Sequence, residues 1–167
     1  MAQLPPAPPE LSPLGTPWRR FEDLAVGEVR RSASRTVTEE EIVTFARAHD
    51  PQWFHTDPEA ARASTFGGVV ASGIHVLALW RQLDHTINSD IDFVCGVGFD
   101  RLRLKRAVRP GDSIHVTSEI LRLEPSRSGK PRGTAVTRYA VLLEDGTECL
   151  TFESINLVYT RAGRAQG

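Results

Sequence analysis

The sequence predicts an α+β fold in which an antiparallel sheet wraps around one long central helix. Three observations lead there. A single strongly apolar helix, Ile74 to about Ile87, stands in the middle of the chain. Its apolar residues (Ile74, Leu77, Ala78, Trp80, Leu83 and Ile87) cover a broad arc, so it needs cover on most of its surface. Everything after Asp92 reads as strands separated by turns, and only one strand pattern precedes the helices. At 167 residues the chain is one domain by size, with enough length to enclose such a helix.

The elements follow in order. Residues 1–17 hold Pro5, Pro6, Pro8, Pro9, Pro13 and Pro17, a density that denies helix and ladder, so an extended tail is expected. The folded domain is expected over 18–162, with a short tail at 163–167. Trp18, Phe21 and Leu24 bring the first apolar groups, Gly27 marks a turn, and Val29 to Val37 alternates as the first strand. Thr38 with Glu41 has the Thr-x-x-Glu form of a capping box, and acids fill the first helical turn, where the dipole favours them. Ile42, Phe45 and Ala46 form the buried stripe. The helix ends near His49, because Asp50 precedes Pro51 and avoids helical backbone. Asp57-Pro58-Glu59 starts a short helix that stops before Thr65.

Phe66-Gly67-Gly68 is a loop with a sharp path, and Gly73 opens the central helix. Strands follow at Phe93–Val108, with Gly96 and Gly98 marking a bulge, and at Ser113–Leu123, Thr134–Leu143 and Cys149–Thr160. Arg109-Pro110-Gly111-Asp112 and Glu144-Asp145-Gly146-Thr147 are turns. One strand, helices, then a four-strand meander gives a hot-dog-like layout.

Composition narrows the function. The net charge of −1 argues against a nucleic-acid binder. No apolar run is long enough to span a bilayer, and no secretory leader is evident, so a cytoplasmic protein is expected. Cys95 and Cys149 have no paired spacing and are expected as buried, reduced thiols in strands.

The chemistry-bearing residues concentrate between Phe45 and Gly73. Asp50 and His55 flank a Pro-Gln-Trp-Phe turn, and Asp57 follows. An aspartate after a helix is often a turn residue and a lone histidine often packs. Together on irregular backbone, the two form a candidate acid–base pair. Asp57 reads as a helix cap as readily as a functional carboxylate. Gly73 offers backbone N–H groups at the positive end of a helix dipole. Ser72 is either its N-cap or an orienting hydroxyl. His75 lies in the first turn, as a structural residue or as part of a pocket lining. A metal site from His49, Asp50, His55 and Asp57 is the competitor, weakened because adjacent His49 and Asp50 do not easily face one ion.

The segment Phe45-Ala46-x-x-x-Asp50-x-Gln52-x-Phe54-His55-x-Asp57-x-x-x-Ala61, followed by Phe66-Gly67-Gly68-x-x-Ala71-Ser72-Gly73, resembles the signature of MaoC-like dehydratases of the (R)-specific enoyl-CoA hydratase (hydratase 2) type. The resemblance extends through Val108-Arg109-Pro110-Gly111-Asp112 and Phe152-Glu153-Ser154-Ile155-Asn156-Leu157. It departs where Trp53 stands in place of the usual proline. The resemblance implies a hot-dog fold, a homodimer with one continuous sheet, and Asp50 and His55 as the catalytic pair. It implies an acyl thioester of coenzyme A or acyl carrier protein as substrate, with no metal and no other cofactor. For hydration of a trans-2-enoyl thioester, Gly73 is the expected donor to the thioester oxygen, with Ser72 beside it. Arg101, Arg103, Arg127 and Lys130 are candidates for coenzyme A phosphates, or the solvated face of strand and loop. Two rivals remain open: a hot-dog thioesterase, and a non-catalytic acyl-thioester-binding protein.

Overall fold

The computed structural model describes residues 17–164. The expected tails at 1–17 and 163–167 lie outside the described residues, apart from Pro17, Gly163 and Arg164. Helix α1 is Glu39–His49, and Thr38 Oγ1 accepts from the Glu41 N–H at 3.2 Å. The Glu41 carboxylate turns to the Arg35 guanidinium, at 2.6 Å, so Thr38 supplies its half of the capping box while Glu41 ties α1 to the preceding strand. Helix α2 is the single turn Trp53–Thr56, and α3 is Pro58–Ala61. The Asp57 carboxylate accepts from the Glu59 and Ala60 N–H groups, each at 3.0 Å. Helix α4, Gly73–Asn88, runs 16 residues, about 24 Å at 1.5 Å per residue.

The strands are β1 (Val29–Arg31), β2 (Arg35–Thr36), β3 (Phe93–Leu104), β4 (Ser113–Pro125), β5 (Arg132–Leu143) and β6 (Glu148–Tyr159). They form one antiparallel sheet in the order β1-β4-β5-β6-β3, with β2 also on β4. Two expectations need correction. The first strand is split, because at Ser32 the chain leaves the ladder and the Ser32 hydroxyl accepts the Val116 N–H at 2.9 Å. The last four strands are not a simple meander. Strands β4, β5 and β6 follow as hairpins, whereas β3, reached from the end of α4, enters on the far side of β6 as an edge.

Alternate residues of β4, β5 and β6 point at α4. Ile114, Val116, Tyr139, Val141, Leu150 and Phe152 pack with Val76, Leu79, Trp80 and Leu83 of the helix in one core. This is the hot-dog layout: a helix held against a curled sheet. A smaller cluster of Leu24, Ile91, Ile120, Ala135 and Val158 closes the carboxyl end of α4. There, Gly133 lets the Phe21 ring lie where a Cβ would sit 2.4 Å away.

The edge position of β3 explains a further correction. Cys149 is buried, but Cys95 is exposed because neither face of β3 is fully covered. Val97, Phe99 and Leu104 of the same strand are 56%, 52% and 59% exposed. Among the described residues, no helix is long and apolar enough to cross a membrane.

Candidate active site

Asp50 is the residue on which α1 stops. Its N–H still bonds the Ala46 carbonyl at 2.8 Å, but its own backbone (φ −153, ψ 72) leaves the helix ahead of Pro51. The chain turns tightly and re-enters helix at Trp53. Gln52 donates its side-chain amide to Asp50 Oδ1 at 2.9 Å, which leaves Oδ2 to face inward. Trp53 itself points outward and is half exposed.

His55 lies on the inner side of α2 and is 6% exposed. Its Nδ1 is 2.6 Å from the Val70 carbonyl oxygen. A carbonyl only accepts, so Nδ1 carries the proton and Nε2 keeps the lone pair. That carbonyl is itself fixed. Val69, Val70 and Ala71 are buried, and the Ala71 N–H bonds the Val108 carbonyl at 2.8 Å. Nε2 stands 3.8 Å from Asp50 Oδ2. This is too long for a direct hydrogen bond, and both atoms are acceptors. A molecule that donates to both, such as a water off their axis, is what the pair can hold.

The segment that carries Val70 runs straight into α4. Ser72 is the N-cap, and its hydroxyl accepts the His75 N–H at 3.3 Å. Gly73 has no need of left-handed backbone. Its requirement is space, since a Cβ there would meet the Leu104 side chain at 2.6 Å. Leu104, on the β3 edge, therefore lies over the amino end of α4. The first-turn N–H of Gly73 is directed along the helix axis at the positive end of the dipole.

His75 completes the neighbourhood. Its ring stacks on Phe45 of α1, with centroids 4.4 Å apart and planes 10° apart. Burial first, and then electrostatic interaction with Arg35 and with His55, hold its pKa down to about 4. It is therefore uncharged at neutral pH.

Asp50, His55, Ser72 and Gly73 thus meet where the end of α1, the turn α2 and the start of α4 join. Asp57 serves as the cap of α3. The cationic residues divide. Arg101, with φ 53 at a bulge in β3, pairs with Glu153 at 2.7 Å, and Arg103 donates to the Leu102 carbonyl at 2.9 Å. Both lie on the strand that brings Leu104 to Gly73. Arg127 and Lys130 are not brought to the site within one chain. Leu104 pairs with Leu150, whereas the loop carrying Arg127 and Lys130 adjoins Arg132, which pairs with Tyr159. Tyr159 lies nine positions along the strand from Leu150, about 30 Å at 3.3 Å per residue. Among the described residues no group of three or more His, Cys, Asp or Glu side chains is placed to hold a metal.

Two contributors were not singled out from the sequence. Gln52 stood in the motif without a role, and its spacing from Asp50 is the signal that its amide reaches the carboxylate. The Val70 carbonyl gives no signal, because any residue there supplies one.

The site is thus a buried imidazole, held by a backbone carbonyl, that faces a carboxylate beside a helix amino end inside a hot-dog domain. The family model of the MaoC-like domain matches residues 21–141, and the chain belongs to the MaoC-like dehydratase family. It is 33% identical over 132 residues to 3-hydroxyacyl-thioester dehydratase Z of Mycobacterium tuberculosis, spanning 74% of this chain and 87% of that protein. Among solved structures, a MaoC-like dehydratase from Rhodospirillum rubrum superposes with a TM-score of 0.78 at 35% identity, covering 86% of this chain and 99% of that one. An (R)-hydratase from A. caviae involved in PHA biosynthesis gives a TM-score of 0.62 at 25% identity, covering 81% and 97%.

Proposed function

We propose that the protein is a hydro-lyase that reversibly hydrates a trans-2-enoyl thioester to the (R)-3-hydroxyacyl thioester. The observation that carries this is the pair of lone-pair acceptors, His55 Nε2 and Asp50 Oδ2, 3.8 Å apart, with the imidazole tautomer set by Val70. The pair holds one water through both of its hydrogens and takes one proton from it, while the other stays on the oxygen as the new hydroxyl. The water oxygen attacks C3, the electrons of the double bond move toward C2, and the thioester oxygen gains negative charge. The Gly73 N–H at the amino end of α4 meets that charge. The pair then returns one proton to C2, so that the elements of water are added across the double bond with nothing left over. In reverse, the pair removes the proton from C2 and the hydroxyl leaves C3 as water.

The substrate is carried on coenzyme A or acyl carrier protein, and no metal or other cofactor takes part. Arg101 and Arg103, on the strand that brings Leu104 to Gly73, are the candidates for a carrier phosphate. The working unit is a homodimer in the cytoplasm. The support for the dimer is β3, a 12-residue unpaired edge with Val97, Phe99 and Leu104 in the open. Enoyl-CoA substrates of increasing chain length provide the test. Loss of the conjugated-thioester absorbance without release of free thiol supports hydration. Thiol release, read with a thiol-reactive dye, makes the protein a thioesterase instead.

A further inference from the structure

His75 is 5% exposed, and its Nδ1 has no hydrogen-bond partner among the described residues. A buried polar atom left unpaired weakens a fold and calls for an explanation. Packing does not supply one, since the parallel stack on Phe45 is a contact that a phenylalanine would make with no unpaired nitrogen. Nor does the face of Phe45 serve as acceptor, because the two rings lie 10° from parallel and an in-plane ring nitrogen does not point into the other ring. The location is informative. His75 is two residues past Gly73, and it stacks against the helix that ends on Asp50. His55 is near enough to interact electrostatically with the His75 ring. The nitrogen is shut off from bulk solvent, so bulk water does not supply its partner.

We propose that His75 is a third polar group of the acyl-thioester site, retained to hydrogen-bond the hydroxyl that the reaction adds and removes at C3. This rests on the hydro-lyase reading above. A hydroxyl both donates and accepts, so it suits whichever tautomer the ring adopts. The bond is absent in the free protein and forms only with the oxygen in place.

The test compares wild type with His75→Phe, His75→Met and His75→Asn. Each is titrated calorimetrically with (R)-3-hydroxybutyryl-CoA and with butyryl-CoA, which lacks the hydroxyl, and each is assayed for crotonyl-CoA hydration. Wild type is expected to bind the hydroxylated ligand more tightly. His75→Phe should lose roughly tenfold of that preference and roughly tenfold in kcat/KM, while its thermal midpoint stays or rises. His75→Asn, which restores a polar atom at similar reach, should recover most of both. Wild-type preference and rate in His75→Phe would overturn the proposal and leave His75 a packing residue. Unfolding of both His75→Phe and His75→Met would overturn it as well. Absence of a hydroxyl preference in an active wild type sinks the role of His75 alone. A wild type that neither binds nor hydrates any of these thioesters sinks the hydro-lyase reading beneath it.

Discussion

The two ends of α4 are both polar and both mostly buried, yet they treat their polar groups in opposite ways. At the carboxyl end the groups satisfy one another. Asn88 donates to Asp84 at 2.8 Å, to Ser118 at 3.2 Å and to Tyr139 at 3.4 Å, and Asp84 also holds Arg81 at 2.7 Å. Burial and the Asp84 charge push the Tyr139 hydroxyl well above its ordinary pKa, so it stays a neutral donor to Asp84. The cavity beside them, about 10 Å³, has room for roughly one water. At the amino end groups are left open: two acceptors 3.8 Å apart, an unsatisfied imidazole nitrogen, and a helix N–H. The contrast teaches that closed networks hold a fold, and that polar groups left open mark where a ligand completes them.

Matched changes at the two ends give the largest effects. Asp50→Asn should lower the hydration rate by roughly 10²–10⁴-fold and leave the thermal midpoint unchanged. Asp84→Asn should do the reverse, costing about 1–3 kcal/mol by chemical denaturation while the rate per folded molecule holds. If both changes cost stability, or both cost activity, the contrast between the ends is lost.

A pH effect comes next. The His75 pKa falls from 6.5 in the unfolded chain to about 4 in the fold. Between those values the unfolded state binds the proton and the folded state refuses it. His75 therefore places no such cost on the fold above pH 6.5, and lets the stability decline as pH falls toward 4. The full cost is on the order of 3 kcal/mol, at 1.36 kcal/mol per unit. Denaturant midpoints of wild type and His75→Phe should lie closest near neutrality and part as the pH falls, with the variant the more stable in acid. Parallel curves would mean that His75 titrates normally.

Smaller effects sharpen the amino end. Gly73→Ala forces the Leu104 side chain aside, which an exposed leucine can permit, so the fold should survive. The Cβ beside the oxyanion donor should cost roughly tenfold in kcat, and combining it with Leu104→Ala should recover part of that loss. Gln52→Leu frees Asp50 Oδ1 from its amide and should slow the reaction by only a few-fold, roughly 1 kcal/mol.

Much of this was legible in the residues, because the relevant physics is local. Thr38 and Asp57 announce helix starts through their own side chains, Pro51 stops α1 on Asp50, and the apolar arc of α4 requires burial. The longer-range features were not legible. Ser32 breaks the first strand through a bond to Val116, 84 positions away. The choice of β6 over β4 as the neighbour of β3 depends on where α4 delivers the chain. Cys95 is open because of that edge placement, and its own flanking residues gave no warning. In the site, the Asp50–His55 spacing was visible. The hydrogen bond that fixes the His55 tautomer comes from a backbone carbonyl 15 residues on, which no side-chain motif encodes. Arg127 and Lys130 looked like carrier contacts on charge alone, and only strand register put them at the other end of the sheet.

The central claim is that one water, held between Asp50 and His55, supplies both the hydroxyl at C3 and the hydrogen at C2. Hydration of crotonyl-CoA in D₂O, with the product's relative configuration read by NMR, tests this directly. The account predicts a single diastereomer with hydroxyl and deuterium added to the same face. Addition to opposite faces, or a scrambled C2, would contradict it.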